Sequence, residues 1–112
     1  DFEDMTLSMR IRHQTESGWD GVNVEYTING GTTWTRLGSV GSSGSTNWYN
    51  DTDVDGIGNG VDGWSGDNSS WKIASIPLPT ALEDNNNVQF RVRIGTDGSI
   101  TFDLKIIFIR LR

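Results

Sequence analysis

The sequence predicts an all-β fold, a two-sheet antiparallel β-sandwich. Three observations carry this. Short stretches alternate apolar and polar residues with a period of two. Turn-forming segments separate them, and the 112 residues include 14 glycines and 5 tryptophans but only 2 prolines. No stretch has the 3.6-residue period of a long amphipathic helix.

The elements follow in order. In "MTLSMRIRH" (5–13), Met5, Leu7, Met9, Ile11 and His13 share one face of a half-buried strand. "QTESGWD" is a loop. "GVNVEYTI" (21–28) alternates again, with Val22, Val24, Tyr26 and Ile28 inward. "TWTRLGSV" (33–40) reads as a third strand whose spacing of Trp34, Leu37 and Val40 implies a bulge near Arg36. Residues 41–70 lack periodicity, and so long a structureless loop points to a function or a bound ligand. "WKIASI" (71–76) resumes the strands. "PLPTALEDNN" is a connector with one helical turn over Thr80 to Asp84, capped by Thr80 with Glu83 three residues on. "VQFRVRI" (88–94) turns Val88, Phe90, Val92 and Ile94 inward, and "GTDGS" reverses the chain. The closing "ITFDLKIIFIRLR" loses alternation at Ile106 to Ile109, as a doubly buried or bulged strand does. Six or seven strands in one domain, 1–112, is one or two short of a jelly roll. The chain is therefore expected to be a piece of a larger protein that lacks a first strand.

Composition narrows the function. With no cysteine, disulfides, thiolate catalysis and Cys-zinc sites are excluded. A formal charge of −6 argues against nucleic acid and anionic membrane surfaces as default partners. No apolar run is long enough to span a bilayer, so no membrane insertion is expected.

The sharpest local signal is "DTDVDGIGNGVD" (51–62). Asp51, Asp53 and Asp55 alternate and Gly56 follows, which resembles the calcium loop D-x-D-x-D-G of EF-hands. Ca²⁺ takes six to eight oxygens, so carboxylates at the first, third and fifth positions converge while glycine turns the chain. Ile57 would add its carbonyl, Asn59 a water-mediated contact, and Asp62 the closing carboxylate. Asp stands at the twelfth position, as in dockerin-type loops, and no flanking helices are visible. The bland alternative is an acidic, glycine-rich surface loop. Crowded carboxylates favour calcium, because their repulsion opposes compaction.

"TINGGTTW" (27–34) resembles the Asp-box, S/T-x-D/N-x-G-x-T-W, through Thr27, Asn29, Gly31, Thr33 and Trp34. That resemblance implies a structural hairpin: Asn29 bonds turn amides, Gly31 takes a positive φ, and Trp34 packs over the turn. One copy does not make a propeller. With "HQTESGWDG", "NWYN", "DGWSGDNSSW" and "NVQFRVRIGTDGS", most of residues 5–103 look like a jelly-roll module of secreted and cell-surface bacterial proteins. Such modules occur in adhesins, proteases and polysaccharidases of the Bacteroidetes and are similar to MAM-type and reelin-type sandwiches. The ending "FDLKIIFIRLR" keeps Asp103 but lacks the acidic pair of the family's "FDGIAIDDIRL". The calcium site that this pair helps form in reelin-type relatives is therefore not carried over.

Trp19, Trp48, Tyr49 and Trp64 fall in loops. Exposed rings stack on sugars, whereas buried rings plug the sandwich ends. Trp19 and Trp34 adjoin strands and read as plugs; for Trp48, Tyr49 and Trp64 ligand contact and loop packing stay open. His13 reads as a rim residue, and no nucleophile elbow appears. The expected function is a non-catalytic, Ca²⁺-stabilised module of a secreted or cell-surface protein that binds a glycan or cell-surface ligand. The alternative is a structural spacer or accessory domain beside a peptidase or polysaccharidase.

Overall fold

The computed structural model describes residues 5–58, 60–82, 85, 87–96 and 103–111, with 68, 69 and 103–111 described as backbone. It is an all-β sandwich. One sheet has the order β5 (Asp67–Pro77), β1 (Thr6–Gln14), β7 (Asp103–Leu111), all antiparallel. In the other, β2 (Gly21–Thr27) is central. β6 (Gln89–Gly95) pairs with the whole length of β2 on one edge. β3 (Thr35–Arg36) and β4 (Trp64–Ser65) share the other edge. A single 3₁₀ turn, Thr80–Leu82, falls within the expected connector, and the capping partner Glu83 lies outside the described residues. So do the reversal at 97–99 and the side chains of the terminal strand. Among the described residues no helix is long and apolar enough to cross a membrane.

Alternation places the core. Leu7, Met9 and Ile11 of β1 and Ala74 and Ile76 of β5 face Val22 and Val24 of β2. The terminal strand carries the expected irregularity. Arg10 pairs with Phe108 but Ile11 with Ile106, which leaves Ile107 as the extra residue of a bulge.

Three expectations are corrected. The third strand is two residues long and carries no bulge. Leu37 still bonds Val24, but Gly38 turns away at φ +74°, and this frees the Leu37 carbonyl for the Trp48 indole at 2.9 Å. Ile28 and Ile94 are exposed rather than inward. The segment 41–70 is not structureless. Trp48, Tyr49, Val54 and Ile57 are buried, Thr46 bridges Ser75, Asp51 bridges Gly63, and β4 and the start of β5 occupy its end.

The segment 51–63 also covers the outer face of the second sheet, so β2 is buried on both faces. Gly56 and Gly95 make this contact backbone to backbone. A Cβ on Gly56 would meet the Gly95 carbonyl carbon at 2.8 Å. The glycine that a calcium loop would need for its turn is thus required here for close approach to β6.

Candidate functional site

The hairpin at 27–34 closes on itself. The Thr27 hydroxyl donates to Asn29 Oδ1 (2.7 Å) and accepts the Gly31 amide (3.1 Å). Asn29 Oδ1 accepts the Thr33 amide (3.0 Å), and its Nδ2 donates to the Thr33 hydroxyl (2.8 Å). Gly31 has φ +97° and lies against the Trp34 ring. Trp34 also carries the Arg91 guanidinium over its face at 4.1 Å. The side chains of Thr27, Asn29, Thr32 and Thr33 all bond within the turn.

The acidic segment brings its predicted donors to different places. Asp51 Oδ1 accepts the Asp53 amide (2.8 Å), and Asp53 Oδ1 accepts the Gly60 amide (2.8 Å). The Asp55 carboxyl is held above the ordinary carboxylate range, first by its contact with the Asp53 carboxyl, then by slight desolvation and by the charges of Asp53 and Asp51. Asp62 turns away, and its Oδ2 accepts the Val40 amide at 2.8 Å. The Ile57 carbonyl accepts the Arg93 guanidinium at 2.7 Å. Asn59 lies outside the described residues. An EF-hand-like shell from Asp51 to Asp62 is therefore not assembled in this arrangement. Among the described residues no three His, Cys, Asp or Glu side chains are grouped to hold a metal ion.

The aromatics are a correction. Trp48, Tyr49 and Trp64, the candidate sugar contacts, are at most 5% exposed, whereas Trp19, read as a plug, is 50% exposed. Trp64 meets Trp48 and Tyr49 edge to face, with centroids 4.8 Å apart in each pair. Their polar tips find backbone partners in the core. The Trp64 indole donates to Asn47 O (3.0 Å), and the Tyr49 hydroxyl donates to Val24 O and accepts Val24 N–H. Burial and loss of hydration push the Tyr49 hydroxyl well above the ordinary phenol range. Large aromatics can be buried in this way when their one polar atom is satisfied.

This cluster forms the floor of a polar cleft of about 190 Å³, and edges of Trp48 and Trp64 line it. Its walls come from the start of β5 (Asp67, Lys72), from His13 at the end of β1, and from Asn47 and Asn50. Asn50 is a latch. Its side-chain oxygen accepts the Ser65 amide and its nitrogen donates to the Ser65 carbonyl, each at 2.9 Å, so it stands in for a strand neighbour of β4. Asn47 has φ +52°, and its Nδ2 donates to Ile73 O at 3.0 Å.

His13 is buried rather than a rim residue, and its Nδ1 lies 2.9 Å from the Gly66 carbonyl. A carbonyl can only accept, so Nδ1 carries the proton, and the neutral ring keeps Nε2 as an acceptor. Desolvation lowers the His13 pKa, against the opposing influence of the Gly66 bond and Asp67, while Lys72 lowers it further. The imidazole is thus uncharged near neutral pH. The cleft therefore combines a neutral imidazole, a carboxylate, an ammonium and two amides beside an apolar floor. That set donates and accepts hydrogen bonds but includes no hydroxyl or thiol nucleophile.

Sequence reading named Trp48 and Trp64 as candidates but missed His13, Asn47, Asn50, Asp67 and Lys72, because the members of the cleft are far apart in the chain. His13 and Gly66 are separated by 53 residues. One signal was present: "NWYN" sets an asparagine on each side of the two buried rings. No family model, curated protein or solved structure matches the chain.

Proposed function

We propose that this chain is a non-catalytic binding module of a secreted or cell-surface protein, with a glycan unit as its ligand. The carrying observation is the polar cleft over the Trp48–Trp64 edges, whose donors and acceptors suit sugar hydroxyls. Asp67 and Lys72 are exposed, so Asp67→Asn/Lys72→Gln should leave the fold intact. On an array of neutral oligosaccharides this variant should lose signal about tenfold or more relative to the parent, the scale of hydrogen bonds to charged groups. Equal signal from the two proteins would remove the cleft from the reading.

Calcium enters this reading at the loop tip. Asp51 and Asp53 each give one oxygen to an amide and the Asp53 and Asp55 carboxyls touch, so an ion would have to replace that contact and draw the three carboxylates together, with water completing its shell. With its pKa raised in the fold, Asp55 lowers stability as pH rises through and beyond the carboxylate range; a bound cation reverses this. Calcium at a hundred times its Kd should stabilise the domain by about 2.7 kcal/mol. The expected result is a higher melting midpoint in Ca²⁺ than in EDTA, with the difference lost in Asp55→Asn. Coincident melts of the parent protein would end the calcium reading.

The alternative role, a spacer or accessory domain packed on a neighbouring domain, is favoured by the exposed apolar residues Trp19 and Ile94.

A further inference from the structure

Period-two alternation puts His13 on the inward face of β1, in line with Leu7, Met9 and Ile11. It is 3% exposed, in a slot that an apolar side chain would fill without an unpaired polar atom. A chain of bonds sets the ring. Gly66 turns at φ +83°; its amide donates to the Thr15 hydroxyl (2.8 Å), and its carbonyl accepts the Thr15 amide (3.1 Å). The same carbonyl accepts the His13 Nδ1–H at 2.9 Å. Tautomer and ring orientation are therefore fixed before any ligand arrives.

Nε2 is the other end of the ring. Among the described residues it has no hydrogen-bond partner, yet it is not one of the sealed, unpartnered polar atoms of the core. It opens on the cleft that His13 lines. The room comes from the strand register. Ile11 and His13 are two residues apart, but their partners Lys72 and Asn68 are four apart, so β5 carries two extra residues and bends away here. Lys72 and Asp67 flank this bulge and stay exposed beside the cleft. Folding alone gives no reason for an imidazole in the slot: one nitrogen is bonded to Gly66, and the second faces the cleft.

We infer that Nε2 of His13 is the acceptor by which the cleft recognises its ligand, so that the ligand is a sugar unit presenting a free hydroxyl, and not a carboxylate or acyl oxygen, to this wall. That role rests on the glycan reading of the cleft and deepens it. A hydroxyl donates its proton to Nε2, as a carboxylate or carbonyl oxygen cannot. The indole N–H groups of Trp48 and Trp64 are bonded to the Leu37 and Asn47 carbonyls, so neither competes for Nε2. The same bond makes binding pH-dependent. Protonation turns Nε2 from acceptor to donor, and the ligand hydroxyl loses its partner. The charges that act on the ring are Asp67, which favours the imidazolium, and Lys72, which opposes it. Leu104 stands opposite His13 on β7, and β4 and the 47–50 segment bring Trp64, Trp48, Asn47 and Asn50, none of them charged. Desolvation outweighs Asp67 and sets the transition below the ordinary imidazole range. Binding should hold at neutral pH and weaken about tenfold per pH unit below that transition.

The test uses the single histidine of the chain, whose imidazole signals need no assignment. Nitrogen-labelled protein is titrated with gluco-, manno-, galacto- and xylo-oligosaccharides, from neutral to mildly acidic buffer. Long-range proton–nitrogen spectra report the tautomer and charge of the ring, and the same titrations give Kd. An oligosaccharide that binds should move the Nε2 resonance and leave Nδ1 protonated, and its Kd should rise as the ring charges. Its O-methylated derivative, which has no proton to donate, should leave Nε2 unmoved. His13→Gln keeps an acceptor that cannot titrate, so it should bind within about tenfold of the parent at neutral pH and show no acid loss. Near-ultraviolet circular dichroism of the buried rings checks that both proteins are folded across the range; if the variant is not, the Nε2 signal of the parent decides. Binding with Nε2 unmoved, or with a Kd that stays constant while the ring charges, overturns the role of His13. An equal acid loss in a folded His13→Gln overturns it as well. In each of these cases the cleft reading survives if Asp67→Asn/Lys72→Gln still loses binding. No binding of any of the four oligosaccharide classes removes the cleft reading and the role of His13 together.

Discussion

Trp64→Ala should unfold a large part of the population at temperatures where the parent is native. Trp64 is 3% exposed and packs edge to face on two rings, while its indole bonds the Asn47 carbonyl across the loop. Truncating a buried tryptophan costs about 3–5 kcal/mol through lost transfer energy and the cavity left behind. Domains of this size have about 5–15 kcal/mol in total. A fall in melting midpoint of more than about 10 °C follows. Trp19→Ala is the control. Its ring is 50% exposed, so the change should stay within about 0.5 kcal/mol. Similar losses from the two substitutions, measured by calorimetry or urea titration, would contradict the burial pattern. The pair also bears on function: lost glycan binding in Trp48→Ala or Trp64→Ala would not by itself identify a sugar contact, because these rings also hold the fold.

Glu25→Ala should cost about 2 kcal/mol or more, an unusual amount for an ion pair. The Glu25 side chain is 10% exposed; one oxygen accepts from Arg91 Nη2 (2.6 Å) and Nε (2.8 Å), and Arg93 approaches the other at 3.7 Å. Removing the carboxylate leaves two half-exposed guanidiniums side by side without the group that separates their charge. Breaking a buried pair costs about 3–5 kcal/mol, and the 46% exposure of both arginines reduces this. The consequence spreads, because Arg91 stacks on Trp34 of the hairpin and Arg93 bonds the Ile57 carbonyl of the acidic segment. Glu25→Ala should therefore speed amide hydrogen exchange in 54–61 as well as lower global stability. A double-mutant cycle with Arg91→Ala should return a coupling of at least about 1 kcal/mol. Additive effects would show that the pair is only a surface contact.

These two results explain what each part of the sequence reveals. Glu25 stands in a strand that alternates, so local reading gives it a solvent face. It is held instead against Arg91 and Arg93 of β6, while the segment 51–63 folds over the start of the same strand, where Gly56 and Gly95 meet backbone to backbone. The acidic repeat was legible as a pattern, but the shell it suggests depends on where each oxygen points. Arg93 and the Val40 amide take two of those oxygens from 36 and 22 residues away. The place of His13 in the cleft was invisible for the same reason: it needs the register between β1 and β5.

By itself the sequence determined what short-range forces set. Period-two alternation places β1, β2 and β6, and the spacing from Thr27 to Trp34 writes a turn whose hydrogen bonds all lie within four residues. Only the tertiary structure decided which tryptophans are core and which are surface, how the acidic segment is held, and which polar groups share a cleft. Strand period and turn bonding arise between neighbours in the chain, whereas the burial of a ring depends on partners that only the packing of two sheets brings together.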